Sequence, residues 1–593
     1  MAEQAQQALL QERPLEAAAL YEEAAKKAPS PQRDEWRIRA ADIYAQLGNA
    51  DMARRLASMA DVAAVSPPLR YRLTLTRAQI DLLSDTPSLA LARLREVPPD
   101  LEPPLERRWL KLKAQSLEDL EDYLESARLR DTLSERLTEP EAVKANRDAL
   151  WHDLTRAPAE RISALMPPAP TRFGAWLELA YIFHQYRLDL NKLDSQVQEW
   201  LQRYPDHPAR DYVSRLLADY RERLQPPREI ALMLPLSGRL AGIGQAIKHG
   251  FMTAYFEDHG ERPRIRVFDV GDKGMDVVSA YRDAVEAGVD FVVGPLTKQS
   301  LEALSVWDTF PVPVLALNTV ASADFPTDRF YQFGLAPEDD ARAAADLMAA
   351  QGRDKAVVLV PNTDWGDRIA GAFRQAFEAA GHQVLDQAYY RPDASDFGDA
   401  ITGLFNLDAS RDRYHRLRRA LHAHMEFQPR RRHDMDSVFF AAYPEQARLI
   451  RPQIRFHHGI GVPVYATSHA YAGYPQPGDD QDMDGLSFVE IPWLLGHVDA
   501  LPDALQAQAL GSLWPSERQR FPRLLALGID AYRLAPIVDV LREFPQESVP
   551  EATGRIRVAQ DGQIHRLLQA AQFKDGRAEP LDLPGAPFGG GSR

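Results

Sequence analysis

The sequence predicts an all-helical solenoid followed by a two-lobed α/β domain, and three observations predict it. The first 225 or so residues read almost wholly as helices. At "RERLQPPREI" the pattern changes, because Pro226 and Pro227 stop the last helix and apolar runs bounded by turn residues begin to alternate with helical stretches. The 593 residues also exceed what one core normally holds, since domains run to roughly 100 to 200 residues.

Within the helical part, "AAALYEEAAKKAP" sets Ala17, Tyr21, Ala24 and Pro29 at the spacing of the second helix of a tetratricopeptide repeat. "AADIYAQLGNADMA" then places Tyr44, Gly48 and Ala53 across the turn between the two helices of the next repeat. Ala17 and Ala53 lie 36 residues apart, near the usual period of about 34. After Pro67 the signature fades while helical periodicity continues, which predicts an irregular solenoid over residues 1–225. "WLQRYPDHPARDYV" reads as a further helix, turn and helix of this type.

From residue 226 onward nine strands are expected, at "IALML", "RIRVFDV", "DFVVG", "VPVLALN", "KAVVLVP", "HQVLDQAYY", "DSVFFAAY", "VPVYATS" and "LSFVEIP". Helical stretches separate most of them, so the sheets are expected to be largely parallel. Nine strands in residues 226–593 call for two lobes. The chain is expected to cross near residue 335 and to return around 470–485, where the Gly- and Asp-rich stretch from Gly473 to Gly485 reads as an exposed loop.

The segment "IALMLPLSGRLAGIGQAIKHGFMTAYF" joins a buried strand to a glycine-studded loop and an amphipathic helix, a junction where α/β proteins hold small anions. A dinucleotide site is set aside: Gly242 and Gly244 supply G-x-G, but Ile247 occupies the third small position and Leu234 ends the strand too early. Ser237 and Gly238 remain candidates to bind a carboxylate, or simply to cap the turn. Further candidates sit where other strands end, at Gly294 and Pro295, at Asn318, Thr319 and Ser322, and at Asn362, Asp364 and Trp365.

No G-x-S-x-G elbow, Walker A loop or H-E-x-x-H motif occurs, and the chain has no cysteine, so no catalytic residue, metal site or cofactor is expected. His422 and His424 fall on different sides of a helix and suit a metal poorly. The net charge of -15 repels a phosphate backbone and argues against nucleic acid. Against that acidity, eight arginines lie within the 22 residues from Arg411 to Arg432. Arg416, Arg418 and Arg419 are the candidates there for docking an acidic partner, with a solvated helix as the plainer alternative.

The strand-helix segment above, with "FVVGPLTKQSLEAL", "PVPVLALN", "FYQFGLAPEDDARAAADLMAAQGRDKAVVLVPNTDWGDRIAGAF" and "GRIRVAQDGQIHRLLQAAQFKDG", resembles the LppC/LpoA family of penicillin-binding protein activators, in order from Arg228 to Gly576. The helical part is similar in kind to that family's tetratricopeptide-like amino-terminal domain. The resemblance implies a type I periplasmic-binding-protein fold for the second part and no catalytic residues. It also implies a lipoprotein on the periplasmic face of the outer membrane that reaches through peptidoglycan to a class A penicillin-binding protein, with peptidoglycan itself a second candidate partner. No signal peptide or lipobox cysteine stands at the start of this sequence. A trimmed start is the expectation and an absent anchor the alternative. The competing function is a periplasmic protein that binds or senses an amino acid or a peptidoglycan fragment between its lobes.

Overall fold

The computed structural model describes residues 1–99, 101–271, 276–320, 328–422 and 426–581. They form two compact units, Met1–Glu222 and Arg223–Arg593. Ser322 and His424 lie outside the described residues.

The first unit is helical throughout. Helices Pro14–Lys27 and Pro67–Leu83 begin on proline, whose missing N–H costs nothing in a first turn. Helix Gln32–Gln46 ends at Gly48, which takes a left-handed φ of 79°. Asn49 then caps helix Ala50–Ser58 by accepting from the Met52 N–H at 3.1 Å. Tyr21, Tyr44 and Ala53 meet in one core with Ile38, Ala41 and Leu56, so the repeat-like residues do fill the space between stacked helices. Beyond Pro67 larger rings take over that task. Trp200 of helix Leu190–Arg203 is fully buried and donates its indole N–H to the Ala175 carbonyl at 2.9 Å. Trp151 packs edge-on against Phe183 at 5.0 Å.

The second unit holds fifteen strands among the described residues: β1 (Glu229–Leu234), β2 (Arg264–Asp269), β3 (Phe291–Val293), β4 (Val314–Ala316), β5 (Phe330–Gln332), β6 (Lys355–Pro361), β7 (Gln383–Tyr390), β8 (Ser437–Phe440), β9 (Val464–Ala466), β10 (Leu486–Glu490), β11 (Val549–Glu551), β12 (Gly554–Val558), β13 (Ile564–Leu567), β14 (Gln569–Lys574) and β15 (Arg577–Pro580). The first sheet is parallel, in the order β2-β1-β3-β4-β5. The second runs β15-β14-β10-β9-β8-β6-β7, parallel from β7 to β10 and closed by antiparallel β14 and β15. A small antiparallel sheet, β11-β12-β13, touches the first through a bridge between Gln332 and Gln563. All nine expected strands form. The other six are short, or interleave charges with apolar residues as "GRIRVAQDGQIHRL" does.

The chain leaves the first lobe after β5 and enters the second through helix Pro337–Ala350, which packs on helix Asp364–Ala379. The return does not fall at 470–485. Residues 467–485 join β9 to its parallel neighbour β10, a crossover that parallel pairing requires, so the chain goes back only after β10. Nor is Gly473–Gly485 simply an exposed loop. Gly473, Asp480 and Met483 are buried, and Arg448 holds the Asp480 carboxylate at 2.7 Å.

Back in the first lobe, helix Pro522–Leu534 lies against helix Ala241–Glu257 with backbone meeting backbone at two glycines. A Cβ on Gly528 would stand 2.1 Å from the Ile247 carbonyl oxygen, and one on Gly250 would stand 2.0 Å from that of Leu525. A Cβ on Gly244 would meet the Pro235 carbonyl at 2.2 Å. Gly244 and Gly250 are therefore packing residues.

Candidate functional site

The carboxyl ends of both parallel sheets carry the candidate ligand residues, which is where open α/β sheets bind small molecules. In the first lobe most of their polar groups already have partners. The N–H of Ser237, expected to be available to a carboxylate, instead donates to the Asp269 carboxylate at 3.2 Å, as does that of Leu236 at 2.9 Å. Burial pushes the Asp269 carboxyl up, but hydrogen bonds from Ser237, Gly271 and Leu236 outweigh it and hold the group below its ordinary range. Gly238 opens the short turn Gly238–Leu240 with φ 75°. Gly294 and Pro295 are buried, and the Gly294 N–H is taken by the Leu315 carbonyl at 2.8 Å. Asn318 donates its amide to the Leu296 carbonyl at 2.8 Å and accepts the Thr319 N–H at 2.9 Å.

Thr319 also faces a cavity of about 250 Å³ between the lobes. Lys298 joins it from the first lobe, Glu338, Arg342 and Arg368 from the second, and His565 from β13. None of these five stood out in the sequence, because single charged or histidine side chains scattered over several elements carry no motif. Their charges are largely satisfied: Arg368 grips Glu338 through two bonds of 2.6 and 2.9 Å, and Arg342 pairs with Asp339 at 2.8 Å. Burial raises the Glu338 carboxyl, yet the Arg368 contact brings it below its ordinary value.

Deeper in, Asp340 is buried beside Ser468, His469 at 3.5 Å and Arg566 at 3.6 Å. Arg523, at the start of the first-lobe helix Pro522–Leu534, reaches the buried Glu490 at the end of β10. It bonds Oε1 at 3.1 Å and the carbonyls of Ser468 and Tyr471 at 2.8 and 3.0 Å. An ion-pair network thus spans the lobe boundary.

The second-lobe candidates are more open. Asn362 and Asp364 are exposed, while Trp365 stacks on Tyr443 at 4.9 Å and meets His469 edge-on at 5.1 Å. Strand-end loops after β6, β8 and β9 supply one ring each, a grouping no local sequence pattern announces. Arg416, Arg418 and Arg419 stand far from this in character, exposed on helix Leu407–Leu421, whose buried residues are Leu407 and Ser410. Among the described residues no group of three or more His, Cys, Asp or Glu could hold a metal ion, and no helix is long and apolar enough to cross a membrane.

These features define a tetratricopeptide-like helical unit followed in sequence by a two-lobed, type I periplasmic-binding-protein-like domain. The family model described as "LppC putative lipoprotein" matches residues 11–576, and the chain belongs to that family. Its similarity includes the penicillin-binding protein activator LpoA of Photobacterium profundum, 27% identical over 475 residues that span 79% of this chain and 76% of that protein. The activator of the same name from Vibrio cholerae is 25% identical over 94% of this chain and 92% of its own length. Crystalline LpoA of Haemophilus influenzae shares the fold, with a TM-score of 0.61 at 22% identity, over 95% of this chain and 97% of that one.

Proposed function

We propose that this chain is a non-enzymatic activator of a class A penicillin-binding protein, acting as a lipoprotein on the periplasmic face of the outer membrane. The match to the LppC family over residues 11–576 carries the reading, together with relatives named as penicillin-binding protein activators along most of both chains. Activation without chemistry requires that the chain bind one state of the synthase better than another. The paired charges between the lobes support this over solute capture, since a ligand there would have to displace Arg368–Glu338 and Arg342–Asp339.

The test mixes the purified full chain with each class A synthase from its own source and follows peptide cross-linking of lipid II. A saturable rise in cross-linking is expected. If no synthase is bound or stimulated, while a free amino acid or muropeptide binds with micromolar affinity, solute binding replaces activation.

A further inference from the structure

A second cavity, of about 330 Å³, lies at the opposite, amino-terminal edge of the second sheet, where β9 and β10 begin. Arg353, Arg451, Gln351, Tyr465, Ser487 and Gln572 supply its polar lining, and no Asp or Glu side chain is among the described residues that line it. Arg451 is only 8% exposed, on the buried side of helix Pro444–Ile454. Its one hydrogen bond, to the Asp484 carbonyl oxygen, is long at 3.4 Å, and its Nε has no partner among the described residues.

The acids nearby along the chain are engaged elsewhere. Asp480 pairs with Arg448, and Asp484 accepts the Gly576 N–H at 2.9 Å. Asp436, ahead of β8, takes the N–H groups of Asp354 and Lys355. Burial, and then the like charge of Arg455, push the Arg451 guanidinium down to about 10, with no acid acting the other way. The half-buried Arg353 acts on the Tyr465 hydroxyl, which the charge of Asp436 also reaches, and its Nε has no partner among the described residues.

Burying a guanidinium without a counter-charge is strongly unfavourable, and its planar fork of donors matches the oxygens of a carboxylate or phosphate. Neutral donors stand ready beside it: the Ser487 hydroxyl accepts from Gln572 at 3.1 Å, which leaves its own proton to give. The volume is at the small end for ligand sites, which run from roughly 300 Å³ upward. We propose that this cavity binds a small oxyanion-bearing molecule, a carboxylate or a phosphate, held by Arg451 and Arg353. The site is separate from the strand-end cleft and does not depend on the function proposed above.

The experiment uses the full chain, with sodium phosphate and sodium succinate as probes and sodium chloride at matched ionic strength as control. Melting temperature and calorimetry should show saturable binding of at least one probe, and the probe that binds tells phosphate from carboxylate. Arg353→Met should weaken that binding tenfold or more, and Arg451→Met should abolish it. Without a probe, Arg451→Met should melt no lower than the parent chain, because it removes a buried charge that lacks a partner. The proposal is overturned if neither probe gives a saturable shift, if both variants bind as the parent does, or if a folded Arg451→Met melts well below the parent without a probe. Should that variant fail to express, Arg353→Met carries the test.

Discussion

The two edges of the second sheet handle buried charge in opposite ways. At the carboxyl edge, facing the first lobe, Arg523 has Glu490 and Arg566 has Asp340. At the amino edge Arg451 has no acidic partner among the described residues. The edge at which α/β sheets ordinarily receive a ligand is lined by the chain's own ion pairs. The edge where no ligand would be sought first is the one left electrostatically incomplete. A fold therefore tells where ligands can bind, and only the pairing of individual charges tells where one is still wanted.

The largest expected effect breaks this contrast from the paired side. Arg523→Met leaves Glu490 buried without its cation, and losing one partner of a buried pair costs about 3–5 kcal/mol. Urea unfolding of the full chain should show that loss, whereas Arg451→Met should show none. Equal losses in the two variants would mean that Arg451 has a counter-charge after all.

Acid should separate the edges next. Burial raises the Asp340 carboxyl, but His469, Arg566 and Ser468 together bring it below its ordinary 3.8. A carboxyl whose folded value is depressed contributes stability that is present above 3.8 and disappears as pH falls through the folded value. Asp340→Asn should therefore unfold more easily than the parent at pH 6, with the difference closing below about pH 4. A difference that stays constant down to pH 2.5 would show that the network does not act through charge.

How much of this could be read in the sequence depended on whether the signal was local. Strands such as "KAVVLVP" and "IALML" are apolar runs with turn residues at their ends, and they form where expected. The crossover from β9 to β10 was hidden because Gly473, Pro475, Pro477 and Gly478 look like an exposed loop, while Asp480 and Met483 are buried by contacts from elsewhere. Gly250 and Gly528 lie far apart in sequence, so the close contact each makes with the other's helix had no local trace. Candidate site residues fared less evenly: Thr319 does line the inter-lobe cavity, but the charges that line it come from other segments. Arg451 reads as an ordinary helical arginine, since only the folded chain reveals which acids are already taken.

A smaller effect is expected in the first-lobe loops. The exposed Ser237 hydroxyl bonds Asp269 and the half-buried Thr319 bonds Asn318 through its backbone N–H, so Ser237→Ala with Thr319→Ala should cost about 1 kcal/mol or less. The same variant sharpens the contrast between edges in a thermal-shift screen against free amino acids. No rise is expected in the parent chain. A rise that the double variant removes would make the inter-lobe cleft a ligand site.

The smallest effect on stability is expected where charge is exposed altogether. On helix Leu407–Leu421, Arg416, Arg418 and Arg419 face solvent, and among the ion pairs of its described residues Arg411 meets Asp408 at 3.2 Å. Water screens such charges, so reversing Arg418 and Arg419 to Glu should move the unfolding free energy by about 0.5 kcal/mol or less. The consequence, if this helix docks an acidic partner, is kinetic. A local basic surface on a chain of net charge -15 steers an acidic patch toward itself over distances set by the screening length, about 10 Å in 0.1 M salt. Association of the Arg418→Glu, Arg419→Glu chain with a class A synthase, followed by stopped flow at low and high salt, should be slower at low salt and should converge with the parent as salt rises. Dissociation should change little. Unaltered association at every salt concentration would leave the arginine helix a solvated surface and move the search for the docking face elsewhere on the second unit.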